Sequence, residues 1–214
     1  MRSAPVTYSW LAILLVTTIV QHTASDERVE TILGRRSTNI GNLRHDPIRS
    51  MITSMFWLDG AYWLPYLIGF TVFVAVAERW LGRWRLVAVG FGGHVVATLV
   101  SQFVLYEAIA ARQADPALRS AVDVGVSYVM AALIGVLAYR TAGRWRVAYI
   151  AVCLVAFGTP LVVDGTFTDV GHATALLFGF AMYPLTRTLP RVRRARDWFA
   201  RAASHPPIVR HRNS

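Results

Sequence analysis

The sequence predicts an all-α membrane protein with six transmembrane helices, on three observations. The chain is 55% hydrophobic and only 16% charged over 214 residues, where a soluble domain carries about 25% charged residues. Its mean hydropathy is +0.42. Its charges are gathered between long uncharged runs, and that bunching distinguishes membrane spans from an ordinary large core.

A helix rises about 1.5 Å per residue, so crossing about 30 Å of hydrocarbon takes about 20 mostly apolar residues. Six runs reach or approach that length: residues 5–20, 57–77, 86–106, 122–139, 147–163 and 170–186. The runs are continuous rather than alternating, which selects helices over barrel strands as the way to satisfy the backbone in lipid. The first run follows only Arg2, and the stretch Gln21-His22-Thr23-Ala24-Ser25 after it makes a poor cleavage site. A retained first helix is therefore expected rather than a removed signal peptide.

Orientation follows from arginine, which accounts for all 22 basic residues. Fifteen lie on the side holding both termini and the loops 78–85 and 140–146, against seven on the other side. The positive-inside rule then predicts a multi-pass plasma-membrane protein with both termini cytoplasmic. The net charge of +10 raises nucleic acid as a partner, but loop anchoring accounts for it, so the bilayer is the expected partner and nucleic acid is not. Cys153 lies alone in an apolar run and no pair of metal-ligand spacing occurs, so neither a metal nor a cofactor is expected.

Two connections carry patterns of their own. In loop 21–56, Leu43, Ile48, Met51, Ile52, Met55 and Phe56 recur at helical spacing from Asn42 onward. That pattern predicts a short helix lying in the outer interface, with an ordinary capping loop as the alternative. Ser37-Thr38-Asn39 ahead of it reads as a turn. The basic tail 190–214 interleaves Val192, Ala195, Trp198 and Phe199 with arginines, as an inner-leaflet segment or a topology anchor would, and its end beyond Ser204 reads as disordered.

Polar residues inside spans are expensive and so are candidates for function. Ser127, near the start of the fourth span, and His172, near the start of the sixth, enter from the same outer face at matching depth. Ser127, Ala131 and Gly135 repeat every four residues, as do Gly171, Ala175 and Gly179. Small residues at that spacing let two helices approach closely, which would bring an imidazole to a serine hydroxyl and so activate it as a nucleophile. Packing alone would produce the same stripes. Asp123 and Asp169 read as solvated carboxylates at loop ends. His94 follows Gly90, Gly92 and Gly93 in the third span and reads as an interior histidine bonded to a neighbouring carbonyl, the glycines serving close packing. A small transporter or channel would carry more intramembrane charge or more breaks than Pro65 and Pro160.

Gly125-Val126-Ser127, Gly171-His172 with Ala175 and Gly179, and Glu78-Arg79-Trp80-Leu81-Gly82 together resemble the motifs of the rhomboid intramembrane serine proteases, in order and span, over roughly residues 5–190. The resemblance implies a rhomboid-like six-helix bundle with an interfacial first loop. It implies Ser127 as nucleophile and His172 as general base, a dyad that cleaves a transmembrane protein substrate near its extracytoplasmic end. Rhomboids usually carry an HxxxN pattern in the second span that helps form the oxyanion hole. Here the stretch from Trp63 to Gly69 has neither residue, Tyr128 stands where glycine commonly follows the serine, and Ala131 replaces a frequent aromatic. Gly125 at the serine and His94 (with Gln102) in the third span are the candidate substitutes. The alternative is a catalytically inactive rhomboid-like scaffold that binds membrane-protein clients.

Overall fold

The computed structural model describes residues 3–191; most of the basic tail predicted at 190–214 lies outside the described residues. Pro5 opens α1 (Pro5–Thr23). The first loop contains three helices, α2 (Asp26–Arg36), α3 (Ile40–His45) and α4 (Pro47–Ser54). The second span runs through α5 (Trp63–Gly69), a π-helical turn (Phe70–Val74) and α6 (Ala75–Leu81). Then follow α7 (Arg83–Ala110), α8 (Val126–Leu137), α9 (Arg144–Val163) and α10 (Phe167–Ala181). The described residues are helical apart from turns and connections.

Among the described residues, four helices are long and apolar enough to cross a membrane: Pro5–Thr23, Trp63–Leu81, Arg83–Ala110 and Arg144–Val163. The other two predicted spans are shorter. At 12 residues, α8 rises only about 18 Å. Its predicted start at 122 moves to Val126, because residues 121–124 form no helix and Gly125 is the turn that leads into it. Similarly, the second span starts at Trp63 rather than 57, after a short 3-10 turn at Asp59–Ala61.

The shortness of α8 reflects its place at the centre. Ten of its 12 residues are buried, and it packs against α7, α10 and the π turn. α9, by contrast, has Cys153 as its one buried residue and stands at the periphery. Gly135 and Gly179 explain how α8 and α10 come so close. A Cβ on Gly179 would collide with the carbonyl oxygen of Ala132, and one on Gly135 with that of Leu176. The line of α8 that meets α10 runs through Tyr128, Ala132 and Gly135; Gly171 faces the Tyr128 ring, where a Cβ would stand 2.5 Å from the hydroxyl. Ala131 and Ala175 are both buried in the main core.

The glycine-rich patch of α7 works the same way. Gly90, Gly92 and Gly93 face Val129, Phe178 and Ala132 respectively, so side chains of α8 and α10 fill the space their own would take.

The first helix is tied into this bundle at both ends. The Glu78 carboxylate caps its start, accepting from the Val6 amide at 3.1 Å, the Thr7 amide at 2.8 Å and the Thr7 hydroxyl at 2.7 Å. Near its other end, the Gln21 amide donates to the Leu58 carbonyl at 2.8 Å. In the first loop, Asn39 and Asp46 cap α3 and α4 by accepting from the amides of Asn42 and Arg49. On α4, Met51 and Ser54 turn inward while Ile48 is 72% exposed and Ile52 45%, an apolar edge suited to acyl chains.

Candidate functional site

Ser127 and His172 enter the centre of the bundle from the same end, on the two helices that the Gly135–Gly179 contact holds together. The rings of Tyr128 and His172 meet edge to face with centroids 4.9 Å apart, and Phe157 approaches His172 from α9 at 6.4 Å. It is thus Tyr128, one residue past Ser127, that touches the histidine. Successive residues step about 100° around a helix, so Ser127 lies on the adjoining face of α8. No hydrogen bond joins Ser127 to His172 among the described residues.

Ser127 is half-buried, and its hydroxyl has no hydrogen-bond partner among the described residues. A membrane serine ordinarily bonds a carbonyl one turn back. Here the carbonyl four residues back, that of Asp123, lies outside the helix. It accepts from the Thr38 amide at 2.9 Å and from the Thr38 hydroxyl at 3.0 Å.

That bond belongs to a clamp on the extended lead into α8. The Asp123 amide donates to Ser37 Oγ at 2.7 Å and the Gly125 amide to the Ser54 carbonyl at 3.2 Å. Non-helical backbone survives at membrane depth only where protein shelters it, and loop 1 supplies the shelter. Asp123 itself corrects an expectation. Rather than being solvated, it is 3% exposed and accepts from the Gln102 amide at 2.8 Å. Asp169, partly exposed, forms a capping box with Thr166 at the start of α10, one turn before His172.

His94 is the second pin of this clamp. It is fully buried, with Nε2 3.0 Å from the Met51 carbonyl and 3.3 Å from Ser54 Oγ. The carbonyl can only accept, so Nε2 carries the proton, and Nδ1 is left to accept from the Thr98 hydroxyl at 3.3 Å. The ring also fills the space beside Gly125, where any Cβ would collide with it. As oxyanion donors, both candidate auxiliaries are already engaged: Gly125 to Ser54, His94 to Met51.

The sequence reading passed over Ser37, Thr38, Ser54, Thr98 and Ser101 as site residues. A signal was present for part of the group. His94, Thr98, Ser101 and Gln102, all buried, stand at the i, i+4, i+7, i+8 spacing that marks one helix face. A polar stripe in an apolar span needs polar partners: the first loop provides them for His94, and Asp123 ahead of α8 for Gln102. Among the described residues, no group of His, Cys, Asp and Glu is arranged to hold a metal ion.

Comparison with known families decides the assignment. The family model described as rhomboid-like protein matches residues 1–192. The chain belongs to the rhomboid-like proteins. It is accordingly a multi-pass membrane protein that sits in a lipid bilayer. Neither the curated proteins nor the solved structures returned a match.

Proposed function

We propose that this rhomboid-like protein is an intramembrane serine protease of the plasma membrane, with both termini cytoplasmic. It cleaves a transmembrane protein substrate near its extracytoplasmic end. The observation that carries the reading is the Ser127 hydroxyl. It is half-buried and unpartnered, one residue from a ring that touches His172.

In this reading His172 takes the proton as Ser127 Oγ attacks the scissile carbonyl, and returns it to the leaving amine. Water then hydrolyses the acyl-enzyme with His172 again as base. The first-turn amides of α8, which helix geometry leaves without intrahelical acceptors, are the donors available to the oxyanion. His94 and Gly125 are positioning residues that hold the lead into α8.

A second reading is an inactive scaffold that binds membrane-protein clients. The Tyr128 ring against His172 and the lack of His and Asn in the second span favour it. Labelling membranes with a fluorophosphonate serine probe separates the two. The protease reading expects labelling of the natural chain that both Ser127→Ala and His172→Ala abolish. Labelling that persists in Ser127→Ala would sink the nucleophile assignment, and a natural chain that never labels supports the scaffold.

A further inference from the structure

A cleft of 520 Å³ opens sideways between α1 and α7, away from Ser127 and His172. Pro5, Trp10, Gly90 and Leu133 are among its walls, and Arg83 stands at its open end. The lining includes no acidic residue. Arg83 is exposed and has no carboxylate partner among the described residues. Beside it Trp84 is 88% exposed, and arginine with tryptophan is the usual composition of the membrane–water boundary.

Away from Arg83 the first loop crosses the cleft. Met55 and Phe56 form part of its lining, and the Trp10 indole N–H donates to the Met55 carbonyl at 2.9 Å. Trp10 in turn stacks edge-on against Phe70, with centroids 5.1 Å apart. From Arg83 to Phe91, the α7 residues that line it, eight steps of the helix advance only about 12 Å. The cleft is therefore a blind pocket reaching into one leaflet, on the side of the chain's N-terminal residues.

Those dimensions choose the occupant. In hydrocarbon an apolar cleft is filled either by a lipid chain or by a protein segment. A transmembrane helix needs about 30 Å of passage, more than twice the depth present. At about 10 Å width a helix would also occupy roughly 80 Å³ per ångström of length, so only about one turn would fit. A single flexible tail entering from one side suits a blind apolar pocket, and the unpaired arginine at the mouth suits a phosphate. We propose that this cleft binds one acyl chain of an anionic phospholipid whose phosphate pairs with Arg83. The proposal is independent of whether Ser127 is a nucleophile.

Native mass spectrometry of the purified full chain, titrated separately with phosphatidylglycerol and phosphatidylcholine, tests it. One phosphatidylglycerol should be retained preferentially. Arg83→Gln should weaken that retention by about tenfold, from the loss of one charge-assisted bond, while Arg83→Lys keeps most of it. Ser9 lines the cleft and is exposed, so Ser9→Trp should fill the space and abolish the specific adduct without disturbing the core. Melting temperatures of the variants establish that they are folded. Equal retention of the two lipids, or unchanged phosphatidylglycerol binding in folded Arg83→Gln and Ser9→Trp, overturns the proposal. So does recovery of a second polypeptide in place of lipid at this site.

Discussion

Glu78 offers the sharpest test of how the bundle is held together, because one side chain joins the second span to the start of the first. Its carboxylate accepts three hydrogen bonds from Val6 and Thr7, in a site where Glu78 is 4% exposed and Thr7 fully buried. Glu78→Ala removes the acceptor, and little water reaches the donors. The Thr7 hydroxyl can turn to its own helix, which leaves two amides stranded at about 1–3 kcal/mol each. Loss of an N-cap alone costs about 0.5–2 kcal/mol. Taken together these bracket a destabilisation of about 3 kcal/mol. At about 2–4 °C per kcal/mol for a chain of this length, the melting temperature should fall by about 6–12 °C. Glu78→Gln keeps one acceptor oxygen and should cost about 1 kcal/mol.

The assay is thermal unfolding of the purified full chain in detergent, followed by tryptophan emission. Trp10 and Trp63 report on the docking of α1 through their bonds to Met55 and Leu11. Glu78→Ala should melt first, Glu78→Gln next and the natural chain last. Melting of Glu78→Ala at the natural temperature would refute the reasoning, since two amide donors would then have lost their acceptor at no cost.

Two further predictions concern the site. Gly179→Ala places a methyl group against the Ala132 carbonyl and should cost about 1–3 kcal/mol as overpacking, lowering both melting temperature and probe labelling. Gly158→Ala, in open space on α9, should instead be neutral or stabilising by up to about 1 kcal/mol. Equal effects of the two in parallel thermal melts would rule out close approach as the reason for Gly179. His94→Ala removes a donor from the Met51 carbonyl, which keeps the Ser54 hydroxyl, and empties the space beside Gly125, at about 2–4 kcal/mol. It should speed limited proteolysis within residues 21–62, and an unchanged cleavage rate there would contradict the pinning role.

Much of the fold was legible as pattern. Hydropathy alone placed apolar helices within a few residues of where they lie, because satisfying the backbone in lipid leaves little choice. The glycines before His94 announced close packing, and the spacing from Asn42 onward announced one short helix, where the structure has α3 and α4 and, ahead of them, α2, which that spacing does not cover. The start of α8 was misread at 122 because Val122, Val124 and Val126 look alike in composition. What holds 121–125 out of the helix is its bonding to Ser37, Thr38 and Ser54, residues far away in sequence. Asp123 was misread for the same reason: its burial comes from Gln102 and loop 1 rather than from its neighbours along the chain.

By itself, then, the sequence determined that the chain lies in a membrane, that its long apolar runs are helical, and that Ser127 and His172 begin two of those helices from one end. Those are matters of period, length and charge, written locally. Only the tertiary structure decided which face of α8 meets α10. The stripes Ser127–Ala131–Gly135 and Tyr128–Ala132–Gly135 both fit a helical period and share Gly135. The choice between them is a rotation of about 100°, fixed by how α7, α10 and the first loop pack on α8 together. That rotation sets Tyr128 against His172 and leaves the Ser127 hydroxyl unpartnered, so the chemistry of the site depends on packing that no single helix encodes.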